Sequence, residues 1–187
     1  MYSMSAVADA GRLVQGVAIM NDGLLIARLV FGLLMAAHGA QKLFGWFGGH
    51  GLAAVGGMFE SLGFRPGRLF AIAAGAAELG SGMLIAFGFL GPVGPALMLS
   101  VMIVAAISVH WQNGLFSMSN GIELPLLYGA AAAALALTGP GTYSLDAVLR
   151  LSSLWTPALA WSALGLGILG GFGNLALRQT SPHAVPA

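Results

Sequence analysis

The chain has no cysteine and very little charge, with charged residues making up 7% of its 187 positions. Without thiols it forms neither disulfides nor thiolate metal sites, so any thiol chemistry must belong to a partner. A soluble domain carries roughly 25% charged residues; a chain this poor in charge cannot cover a water-facing surface. The formal net charge of +1 gives no basis for nucleic-acid binding. A GxxxxGK pattern is missing as well, so the glycines at Gly45, Gly48, Gly49 and Gly51 are not read as a phosphate loop. With Trp46 and Phe47 between them they read as an interfacial loop or an aromatic lid.

What the chain does have is hydrophobic residues, 58% of the total. Five apolar segments stand out: Gly23 to Phe44, Pro66 to Leu90, Pro92 to Val109, Ile122 to Thr138 and Leu154 to Gly173. Each is near the roughly 17 to 25 residues that a spanning helix needs. The chain therefore reads as an all-α integral membrane protein, multi-pass in the cell (inner) membrane. No segment is left over that is long enough to fold into a soluble domain with chemistry of its own. Arg28 ahead of Leu29 to Ala37 has the look of a signal peptide, but the apolar run begins before Arg28 and four comparable spans follow. Residues 1–22 read as an N-terminal tail and 174–187 as a C-terminal one.

Let side A be the face where the first span begins and side B the face where it ends. If every segment crosses, Gly45 to Arg65 and Trp111 to Gly121 lie on side B, and Gly91-Pro92 and Gly139 to Ser153 on side A. Glu78 then sits at membrane depth in an otherwise uncharged run, flanked by Ala74, Gly75, Gly80, Ser81 and Gly82. An ionisable group there is costly and needs a partner or a wet cavity. Arg28, His38 and Lys42 share an arc of roughly 80° on the first helix. Counted from the helix ends at about 1.5 Å per residue, Glu78 lies roughly 18 Å and Arg28 roughly 24 Å in from side B. An Arg28–Glu78 ion pair is therefore expected, either as a lock between helices or as part of a site. Nearer side B, His38, Lys42, His110, Asn113 and Glu123 are expected to frame a polar pocket for a small molecule.

Each of these residues also has a structural role open to it. His110 beside Trp111 suits the membrane interface, Glu123 suits the first turn of a helix, and Lys42 can snorkel to the headgroups. A metal is not expected, because no HxxxH or ExxH pair fixes two ligands on one helix and Lys42 would repel a cation.

Four stretches, in order and with their spacing, carry a family resemblance. They are Arg28 followed by His38-Gly39-Ala40-Gln41-Lys42-Leu43-Phe44-Gly45, then Glu78-Leu79-Gly80-Ser81-Gly82 with Leu84 and Gly88. After these come His110 with Asn113-Gly114-Leu115-Phe116 and Gly121-Ile122-Glu123, and last Gly139-Pro140-Gly141-Thr142-Tyr143-Ser144-Leu145-Asp146. The chain resembles the DoxX family of small membrane proteins. The resemblance implies a four-helix bundle over residues 23–146. Residues 147–153 follow as an interfacial segment, and residues 154–173 as an additional C-terminal transmembrane helix beyond the usual core.

That last helix carries Gly167 and Gly171 in a GxxxG arrangement. Gly139-Pro140-Gly141 should end the fourth helix and turn the chain. Ser144 should cap a short helix in which Asp146 and Arg150 pair.

For function, the resemblance implies a membrane subunit or docking partner of a redox complex, either quinone-linked or tied to oxidative-stress defence. In that reading the bundle holds a quinone headgroup, and the redox centre sits on a soluble oxidoreductase partner, since no intrinsic cofactor motif is present. Association with the bilayer and self-association as a homo-oligomer are further expectations. The alternative is a non-enzymatic scaffold or a small transport or cargo-binding protein. Catalysis by the chain alone finds no nucleophile, metal motif or nucleotide fingerprint in the sequence.

Overall fold

In the computed structural model, which describes residues 4–179, the chain is a bundle of helices. The elements are α1 (Met4–Phe44), α2 (Gly51–Ser61), α3 (Gly67–Phe87), α4 (Val93–Ala105), α5 (Glu123–Thr138), α6 (Leu145–Val148) and α7 (Pro157–Ala176). Four helical stretches are long and apolar enough to cross a membrane: Gly11–Phe44, Gly67–Phe87, Val93–Asn113 and Pro157–Ala176. The fifth expected span, α5, has 16 residues, about 24 Å at 1.5 Å per residue.

Two boundaries differ from expectation. The residues read as an N-terminal tail are helical from Met4 and run without a break into the first span, since no proline interrupts them. Gly45 to Arg65, read as a loop, contains α2; Leu52, Val55, Phe59 and Leu62 form its inward stripe at helical spacing. Residues 1–3 and 180–187 of the expected tails lie outside the described residues.

In lipid the apolar effect contributes little between helices, and close packing takes its place. α1 and α3 run antiparallel through small-residue contacts. A Cβ added at Gly32 would meet the Gly82 carbonyl at 2.7 Å, and one at Gly39 would meet the Gly75 carbonyl at 2.6 Å. The GxxxG pair works in the same way: Gly167 packs on Ala96, and Gly171 lies 3.0 Å from the Ser100 carbonyl. α7 therefore lies parallel to α4 along its length.

Two apolar cores result. One joins Met35, Ile85, Met98, Met102, Tyr128, Ala132 and Leu135 at the centre of the bundle. The other, towards side B, joins Phe59, Phe64 and Ala71, with Val104 and Leu175 packed against them.

α4 does not end as a regular helix. It passes through a π-helical turn, Ala106–His110, and a 3-10 turn, Trp111–Asn113.

Candidate functional site

Side A is a polar clasp. Arg28, 3% exposed, donates from its two terminal nitrogens to the carbonyls of Pro140 and Tyr143. The Asn21 Oδ1 accepts from the Thr142 N–H at 2.8 Å. Asp146 is fully buried, and its carboxylate accepts from the N–H of Leu90 at 3.0 Å, that of Gly91 at 2.7 Å and Trp155 Nε1 at 2.8 Å. Ser144 caps α6 as expected, accepting from the Ala147 N–H. The expected Asp146–Arg150 pair does not form. α6 ends at Val148, so the two residues do not share a helical face, and Arg150 is exposed at φ 58°. The Gly-Pro-Gly-Thr-Tyr-Ser-Leu-Asp stretch thus ties the α5–α7 connection to the side-A ends of α1 and α3.

The expected Arg28–Glu78 pair does not form either; Glu78 is paired with Lys42. The depths counted from helix ends were misleading because the ends are not level. The packing of Gly32 on Gly82 and Gly39 on Gly75 sets Glu78 beside His38 and Arg28 beside Gly88. The two groups are therefore about 15 Å apart along the bundle. Lys42, one helical turn beyond His38, is the cation within reach.

The Lys42–Glu78 pair borders a cavity of about 490 Å³. Its walls are α3 (Ala73, Ala74, Ala77, Glu78), α4 and its π turn (Ser100, Val101, Val104, Ala105, Ser108, Val109, His110), α7 (Gly170, Asn174), and the aromatic and aliphatic side chains Met58, Phe59, Leu62, Phe64 and Phe70. The space exists because the facing positions are small: alanine on α3 and α4, glycine on α7. Towards side B it is bridged by the end of α7, where the Gln179 N–H donates to the Gly63 carbonyl at 2.8 Å.

The polar atoms along this cavity are incompletely used. Glu78 is 3% exposed; Lys42 holds its Oε1, and its Oε2 is buried with no hydrogen-bond partner. Ser108 Oγ is buried and unpartnered as well. His110 Nδ1 lies 2.7 Å from the Asn120 carbonyl. A carbonyl only accepts, so that nitrogen carries the proton, and in the neutral ring Nε2 is left as an acceptor. π turns recur at functional sites because they displace side chains from the α-helical register. Here the π turn delivers Ser108, Val109 and His110 to one wall.

Residues 23–111 match the family model described as DoxX. This stretch is a DoxX domain. No curated protein and no solved structure matches the chain. Lys42, Glu78, Ser108 and His110 all lie inside the DoxX domain; Gly170 and Asn174 of α7 lie outside the matched stretch.

Of the five residues expected to frame a pocket, the structure brings Lys42 and His110 to the cavity and leaves three elsewhere. His38 is exposed and stands edge-on to Tyr128, with ring centroids 6.1 Å apart. Asn113 and Glu123 brace the loop after α4. Asn113 donates to the Val109 carbonyl at 3.2 Å, and Glu123 accepts from the Ser117 N–H at 2.7 Å. Ser108 and the α7 wall were missed by sequence reading. Ser108 is one hydroxyl in an apolar run, and a π turn leaves no mark in hydropathy. Among the described residues no group of three His, Cys, Asp or Glu could hold a metal ion.

Proposed function

We propose that the DoxX domain and α7 together bind a quinone-type lipophile, and that the protein serves a redox complex of the inner membrane as its membrane subunit or docking partner. The observation that carries this reading is the cavity of about 490 Å³, apolar over most of its lining, with the Lys42–Glu78 pair at its wall. Sites for small lipophiles commonly enclose about 300–1,000 Å³ and hold a few polar groups that fix the headgroup. The orphaned Glu78 Oε2 and Ser108 Oγ fit a ring that bears oxygen substituents. A bound quinone supplies two-electron redox chemistry that the chain's own side chains lack. The residues of the chain bind and orient: small side chains admit the ring, Glu78, Ser108 and His110 offer hydrogen bonds, and Lys42 balances the carboxylate. The redox centre belongs to a soluble oxidoreductase partner.

The test is purification in gentle detergent, followed by mass spectrometry of the bound proteins and of the extracted lipids. Recovery of a quinone and an oxidoreductase, with the quinone lost when Ala105→Phe fills the cavity, supports the reading. If the wild-type protein yields neither, the scaffold or cargo-binding alternative takes its place.

A further inference from the structure

We infer that the cavity selects lipophiles whose headgroup donates a hydrogen bond, so that of a quinone–quinol couple it holds the hydroxyl-bearing quinol. The inference rests on the cavity reading above and adds the sense of the hydrogen bonds. The spare polar capacity of the site is mainly accepting. Glu78 Oε2 is a carboxylate oxygen in a residue that is 97% buried by its 3% exposure, with no donor in reach. In the neutral ring, His110 Nε2 accepts because Nδ1 is committed to the Asn120 carbonyl. Ser108 Oγ serves in either sense. The one cationic donor at the cavity, Lys42 Nζ, is engaged with Glu78 Oε1, and its side chain keeps 24% exposure near the side-B end of α1, where lysine heads reach for water.

A ketone or ether oxygen entering this site would set acceptor against acceptor and leave the carboxylate unpaired. A hydroxyl or N–H gives Glu78 Oε2 the partner it lacks. Hydrogen bonds to charged groups are worth about 1.5–3 kcal/mol, which corresponds to discrimination of about tenfold or more.

A matched pair of probes isolates the effect: an alkylphenol and the methyl ether of the same alkylphenol, which differ by the O–H alone. Their saturable binding is measured in nanodiscs that contain the protein, with empty nanodiscs subtracting partition into lipid. The expected result is binding of the phenol about tenfold tighter than the ether in the wild type. In Lys42→Met/Glu78→Leu, which removes the pair without stranding a charge, the ratio should fall to near one.

Equal saturable binding of the two probes to the wild type overturns the donor preference and leaves the cavity reading standing. Saturable binding of neither overturns both. A preference that survives in the double variant shows that Glu78 is not the acceptor and overturns the assignment. The wild-type ratio is decisive even if the double variant does not fold.

Discussion

Two buried carboxylates stand near opposite ends of one bundle, and they are treated differently. Asp146 on side A receives three N–H donors and faces the same loop that Arg28 grips from the other side. Glu78, towards side B, receives one lysine, keeps one oxygen orphaned and borders open space. A carboxylate whose two oxygens are both spent on backbone and indole donors holds the fold together and has little left to offer. A carboxylate that is half satisfied at the wall of a cavity costs stability. Such a cost is expected where a ligand makes up the deficit.

The sharpest way to break this contrast is Asp146→Ala. It strands three donors in a buried site, and each orphan costs roughly 1–3 kcal/mol; this should be the largest loss of thermal stability in detergent among the changes named here. Arg28→Met should follow, because it leaves the Pro140 and Tyr143 carbonyls without their donors, at a cost of about 2–3 kcal/mol. Glu78→Leu alone should also destabilise, since it leaves Lys42 uncompensated. Adding Lys42→Met should return most of that loss, because a buried pair replaced by apolar groups is often near neutral. A double variant no more stable than Glu78→Leu would mean that the pair holds the bundle together and is not an element of a site.

Arg28→Met and Glu78→Leu, by contrast, should add within about 0.5 kcal/mol in a double-mutant cycle, because they belong to separate clusters. Coupling beyond that would merge the two regions. The smallest effect belongs to Ser108→Ala. Removing an orphaned hydroxyl should leave stability within about 0.5 kcal/mol of wild type or raise it, while weakening probe binding in the cavity.

Much of the architecture was legible in the sequence because hydropathy reports spans directly: α3, α4 and α7 lie within a few residues of where apolar runs placed them. Ser144 as a cap and Gly167 with Gly171 as a close contact were equally readable, since each is a local rule. Pairings across the bundle were not. Which cation meets Glu78 depends on how far α3 overruns the end of α1, and that offset is set by glycine-to-glycine packing, which a count from helix ends cannot see. α2 was hidden for another reason. Gly51, Gly56 and Gly57 lower its helix propensity, and the Leu52, Val55, Phe59, Leu62 stripe acts only once α3 is there to receive it. His38 shared an arc with Arg28 and Lys42, but an arc of about 80° is wide enough to have one end in the core and the other outside.

The π turn at Ala106–His110 has a consequence for the length of the chain itself. A π turn is an α-helix holding one residue more than its hydrogen-bond ladder needs. Removing a single residue there, such as Ser108, would let α4 close into a continuous α-helix. Each residue advances an α-helix by about 100°. Everything after the deletion would therefore be re-phased, His110 would swing off the cavity wall, and its bond to Asn120 would be lost. Substitutions leave this spacing untouched. The side-B face of the cavity is therefore encoded in the number of residues in α4 as much as in their identity.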